Sequence, residues 1–107
     1  MASDVTDVSV VDNADEERFE IRIGDQIAGF TQYRRRPGLI AFIHTEIEPQ
    51  FEGHGAASHL IREALDTARS EGLAVLPFCP FVRSYIGKHP EYLDLVREED
   101  RGRFGLG

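Results

Sequence analysis

From Ala57 to Ala68 the apolar residues Ala57, Leu60, Ile61, Ala64, Leu65 and Ala68 recur at the spacing of one helical face, with Arg62, Glu63, Asp66, Thr67 and Arg69 opposite. A helix of this kind must lay its apolar stripe against another layer. Two segments are available, one on each side: the apolar runs Leu39–Ile43 and Leu73–Leu76. Strand, helix and strand in that order form a βαβ unit, whose crossover makes the strands parallel neighbours. Gly72 is placed to end the helix as a left-handed cap.

The remaining segments supply antiparallel strands. Phe19, Ile21 and Ile23 alternate with Arg18, Glu20 and Arg22, the period of a half-buried strand. Val8–Val11 is a short strand before the polar turn Asp12–Asp15, and Gly24-Asp25 returns the chain through Ile27–Tyr33 as a hairpin. Pro37-Gly38 marks the next turn, and Leu39–Ile43, apolar without alternation, reads as the central strand covered on both faces. Pro49 closes that element. Phe81–Ile86 predicts a short helix stopped by Gly87 and Pro90. The ends, Met1–Asp7 and Arg97–Gly107, carry no apolar period and are expected to be loose around an ordered core of about 8–96. The fold class is α/β: one domain over 1–107, a mainly antiparallel sheet with one parallel βαβ crossover.

Composition removes several function classes. Nineteen acidic against twelve basic residues give a charge of -7, which repels nucleic-acid phosphates. Lys88 is the only lysine, and the basic run Arg34-Arg35-Arg36 reads as a solvated hairpin tip. One cysteine, Cys79, allows no intramolecular disulfide and no cysteine-based zinc site. The first residues lack a signal-peptide pattern and no stretch approaches the roughly 20 apolar residues of a membrane helix, so a cytoplasmic chain without membrane contact is expected. An exposed edge strand leaves a monomer or a weak dimer as the expected state.

The junction between the central strand and the long helix carries the chemistry. In Gln50-Phe51-Glu52-Gly53-His54-Gly55-Ala56, small residues let backbone approach a ligand, and the helix start presents unpaired N–H groups at a positive dipole end. That is an anion cradle. It lacks the Lys-Ser/Thr of a nucleoside-triphosphate loop and the third glycine of a dinucleotide fingerprint, so a different phosphate ester is implied.

Gln50, Gly53 and Gly55 match the Gln/Arg-x-x-Gly-x-Gly/Ala loop by which the chain resembles the GCN5-related N-acetyltransferase superfamily. Four blocks in order resemble its short YjdJ-type members over roughly Val10–Val96: His44-Thr45-Glu46, Gly53-His54-Gly55-Ala56-Ala57-Ser58, Pro77-Phe78-Cys79-Pro80-Phe81-Val82 and His89-Pro90-Glu91-Tyr92. The resemblance implies a truncated fold of that superfamily, lacking the helices between the first two strands and open on the acceptor side. It implies acetyl-CoA as cosubstrate, held by Ile47, Gln50, Gly53, His54, Gly55, Ala56, Ala57 and Ser58. The acceptor would be an amine, either small or a protein lysine or N-terminus.

Acetyl transfer needs a donor for the developing oxyanion, a base for the amine and an acid for the departing thiolate. Backbone N–H groups near His44–Ile47 could serve the carbonyl if the strands splay there. His44 and Glu46, alternating on one strand face, are candidates for the base. Cys79, just before a helix that would favour its thiolate, is a nucleophile, a proton donor or a buried small hydrophobe. The resemblance places the matching cysteine in the active site. Tyr85 is read either as the superfamily's helix-borne acid or as core packing. No metal site is expected, because the cysteine pair of a zinc deaminase is absent and Pro80 follows Cys79. His54 and His59 have poor ligand spacing and are expected in solvent. The rival reading is a non-catalytic coenzyme A binding module or a protein-interaction module.

Overall fold

In the computed structural model, which describes residues 7–107, the alternating segment forms β2 (Arg18–Ile23). It pairs antiparallel with β1 (Val8–Asn13) and with β3 (Gln26–Arg36). β3 pairs antiparallel with β4 (Leu39–Ile47), and β4 pairs parallel with β5 (Ala74–Pro77) across the helix α1 (Ala56–Ser70). The chain is thus a small α/β fold with one five-stranded sheet in the order β1-β2-β3-β4-β5. α2 (Pro80–Lys88) and α3 (Glu98–Arg101) follow β5. No described helix is long and apolar enough to cross a membrane.

Alternation assigns the two faces of the sheet. Phe19, Ile21, Tyr33, Ile40 and Phe42 are buried under α1, whose stripe Leu60, Ile61, Ala64, Leu65 and Ala68 is buried against them. Fully burying each of the larger aliphatic side chains is worth about 1.5–3 kcal/mol. α2 packs against α1, β4 and β5 and adds Val82 and Ile86 to the same core. The opposite face carries Arg18, Glu20, Arg22, Gln32, His44 and Glu46, and none of the described helices covers it.

On that open face Glu20 is nonetheless 1% exposed. Its carboxylate accepts from Arg18 Nε at 2.8 Å, Arg22 at 2.9 Å and Asn13 Nδ2 at 2.9 Å. The Arg18 guanidinium in turn lies 4.6 Å over the Phe30 ring. Burial alone would push the Glu20 carboxyl up, but the bonds from Arg22, Asn13 and Arg18 outweigh it and hold the group at about 2.

Four expectations are corrected. β3, not β4, is central, because β1 and β2 lie to one side of it and only β4 and β5 to the other. β4 is covered on one face only: Ile40 and Phe42 are buried, whereas Ile43 is 40% exposed, since the single crossover brings helices to one side. The basic run is more than a solvated tip: Arg35 bridges Asp12 at 2.9 Å and Glu71 at 2.7 Å, tying β3 to β1 and to the end of α1. The C-terminal segment from Arg97 on packs, with Phe104 buried and its ring edge-on to Phe78 at 5.2 Å. Of the N-terminal end expected to be loose, residues 1–6 lie outside the described residues.

Candidate functional site

The parallel pairing of β4 with β5 stops at Phe42 and Pro77. One more bond follows, from the Cys79 N–H to the Phe42 carbonyl at 2.8 Å, and then β5 gives way to α2 while β4 runs on to Ile47. The two strands therefore part, and β4 has no strand on that side over its last residues. On its other side β4 stays close to β3 because residue 29 is glycine: a Cβ there would meet the Glu46 carbonyl oxygen and Ile47 Cδ1, each at 2.5 Å.

A cavity of about 410 Å³ opens where the strands part. One wall is polar backbone: Gly53 at φ +83 and Gly55 at φ +79 take the chain through left-handed conformations into α1. Gly55 is the N-cap and supplies no side-chain hydrogen bond, so the first-turn N–H groups of Ala56–Ser58 are left without a side-chain cap. A Cβ on Gly53 or Gly55 would meet no protein atom within 4 Å, so these residues leave space rather than fill it. The other wall is apolar, from Ile47, Phe51 and Phe81, with Glu52 also on the lining. Such a cavity suits a ligand that is anionic at one end and apolar along its length.

Six of the expected cofactor residues, Ile47, Gly53, Gly55, Ala56, Ala57 and Ser58, line this cavity. Gln50 and His54 do not. They border a second cavity of about 470 Å³ behind the glycine loop, with Ile21, Ile23 and His59. The turn Pro49–Phe51 directs Phe51 into both cavities and Gln50 only into the second.

The expected catalytic residues are divided between the two faces of the sheet. His44 Nε2 lies 2.8 Å from Glu46 Oε2 on the open face, the side chains being 52% and 62% exposed. Cys79, 3% exposed, lies on the helix face, with Sγ 3.3 Å from Thr45 Oγ1. A bulge makes the division: Gln32 pairs with His44 while Tyr33 pairs with Phe42, leaving Ile43 as the extra residue. Without it His44 would share the buried face of Phe42; with it Thr45 does.

Sequence reasoning misses Thr45. It lines the cavity and its Oγ1 lies 2.9 Å from that of fully buried Thr31, so Thr31, Thr45 and Cys79 form a hydroxyl–hydroxyl–thiol chain. Thr31 and Thr45 are paired in the β3–β4 register, and only that register, bulge included, reveals the contact. Tyr85 lies away from this cavity, between α1 and α2, stacked on His89 at 4.1 Å; burial pushes its phenol up.

Residues 18–95 match the family described as GCN5-related N-acetyl-transferase. Protein NATD1 of Xenopus tropicalis is 32% identical over 56 residues, covering 50% of this chain and 51% of the relative. Protein NATD1 of Mus musculus and of Homo sapiens are each 30% identical over 61 residues, 55% of this chain and 56% and 54% of theirs. The chain spans about half the length of the curated relatives it matches.

Proposed function

We propose that this chain, which belongs to the GCN5-related N-acetyltransferase family, transfers the acetyl group of acetyl-coenzyme A to an amine and is a minimal, YjdJ-type member. The observation that carries the reading is the cavity at the parting of β4 and β5, floored by an uncapped helix start behind two left-handed glycines, inside the family-matching segment. The backbone N–H groups of Gly55–Ser58 fit a pyrophosphate, and Ile47, Phe51 and Phe81 fit the apolar arm that follows it.

Roles divide with the faces of the sheet. The cosubstrate occupies the helix side and the amine arrives from the open side, the gap between the strands joining the two. His44, held by Glu46, takes the proton released as the amine nitrogen bonds to the acetyl carbon. As the carbon–sulfur bond breaks, the thiol of Cys79, 3.3 Å behind the cavity-lining Thr45 hydroxyl, supplies a proton to the departing thiolate through that hydroxyl. A net charge of -7 favours encounter with cationic acceptors, small amines or lysine-bearing protein segments.

Calorimetry with acetyl-coenzyme A and coenzyme A, followed by a screen of amines for thiol release, tests the reading. Binding with amine-dependent release is expected. Gly55→Val, whose side chain is strained at φ +79 and points into open space, should remain folded by circular dichroism and lose binding. Equal affinity in the folded variant would remove the cradle. Binding without turnover on any amine would favour a coenzyme A binding module, which the uncovered acceptor face also permits.

A further inference from the structure

A second, smaller cavity continues from the first. Ser58 and Phe81 line both, and the smaller one, about 90 Å³, is completed by Ser84, Tyr85, Lys88 and His89 in the crevice between α1 and α2. We infer that this crevice is a phosphate-monoester site, and that with coenzyme A bound its occupant is the 3′-phosphate of the ribose. The inference rests on the acetyltransferase reading and extends it to the far end of the cosubstrate.

Size, polarity and charge agree. A volume of about 90 Å³ is room for roughly three water molecules, enough for a tetrahedral oxyanion and too little for a nucleobase. The chain has three tyrosines, all buried, and two of them donate to a carboxylate: Tyr33 to Asp12 and Tyr92 to Asp66. Tyr85 is 8% exposed, yet its hydroxyl has no hydrogen-bond partner among the described residues. A buried phenol without a partner is costly unless a ligand supplies one.

Charge points the same way. Lys88, the only lysine, makes no ion pair among the described residues; neither do Arg36, Arg83 and Arg101, but of these four only Lys88 lines the crevice. Ser58 and Ser84 add hydroxyl donors beside it. Of the charged groups that act on Tyr85, Glu91 and Asp66 oppose an anion and Arg62 favours one, while Lys88 is the cation on the crevice lining itself. Geometry supplies the link: Ser58 belongs to the first turn of α1, where the pyrophosphate is held, and a single ribose separates the pyrophosphate from the 3′-phosphate.

The test compares coenzyme A with 3′-dephospho-coenzyme A by calorimetry. The parent should bind coenzyme A more tightly, by about tenfold for a charge-assisted pair. Lys88→Gln should lose that preference while keeping its affinity for the dephospho form, and Tyr85→Phe, which conserves packing, should lose part of it. Equal affinity of the parent for the two ligands, or variants that weaken both alike, would overturn the phosphate site and leave the acetyltransferase reading standing. If the parent binds neither ligand, that reading fails and this inference with it.

Discussion

Replacing Glu20 with glutamine should change how stability depends on pH more than it changes the fold. A carboxyl whose ordinary value is 4.5, held at about 2 in the fold, contributes about 3 kcal/mol at pH 7, since a tenfold difference in proton affinity is worth about 1.4 kcal/mol. The folded value lies below the unfolded one, so the contribution is present above the unfolded value and is lost as the pH falls from about 4.5 toward 2. By about pH 3, roughly 2 kcal/mol of it is gone. Glu20→Gln keeps the shape and one acceptor but loses the charge that Arg18, Arg22 and Asn13 address. The variant should be less stable than the parent by about 2–3 kcal/mol at neutral pH and by about 1 kcal/mol or less near pH 3. Urea unfolding followed by circular dichroism at four pH values between those limits measures the gap. Because other carboxylates titrate in both proteins, the difference isolates Glu20. A gap that stays constant across the range would refute the reasoning and assign the loss to packing alone.

His44→Ala should keep its affinity for acetyl-coenzyme A by calorimetry and lose turnover by roughly 100-fold, the scale of a positioned base; unchanged turnover would remove His44 from the mechanism. For Cys79, incubation with acetyl-coenzyme A and no amine, followed by intact mass and peptide mapping, should show no acetyl group on the thiol; stoichiometric acetylation that is passed on when amine is added would instead make it a nucleophile. Thr45→Val should leave cofactor affinity nearly intact while lowering kcat, with Thr45→Ser restoring it, because serine keeps the hydroxyl between Thr31 and Cys79. A valine variant with parental kcat would show that the chain of hydroxyls plays no part in turnover.

The elements that local pattern specifies are legible in the amino-acid sequence. The alternation from Arg18 to Ile23 marks a strand and correctly divides it into a buried and an open face. The stripe from Leu60 to Ala68 marks α1, and the glycines after Gln50 mark the loop that lines the cavity. What stays hidden depends on pairing across long separations. That Thr45 joins Thr31 and Cys79 while His44 turns away requires the β3–β4 register, which no single segment encodes. The C-terminal segment misleads because six charged residues from 97 to 103 mask Phe104, a lone aromatic that packs on Phe78 without forming a periodic pattern. The crevice around Tyr85 is likewise invisible in the sequence, because an unpaired hydroxyl is defined by neighbours that fail to reach it.

The extra residue in β4 has a consequence for how this part of the chain tolerates change. Beyond Ile43 the odd positions, Thr45 and Ile47, look into the cavity and the even ones, His44 and Glu46, look out. Point substitutions here alter one group at a time. Loss of Ile43 itself would leave His44 opposite Gln32 and Thr45 opposite Thr31 and so keep both sets on their faces, whereas regular pairing at unchanged length would exchange them, putting an imidazole and a carboxylate beside Cys79 and a hydroxyl and an aliphatic chain in solvent. What must be kept is the register beyond the bulge: functional homologues can lack the extra residue at Ile43 but should show no gap between His44 and Ile47.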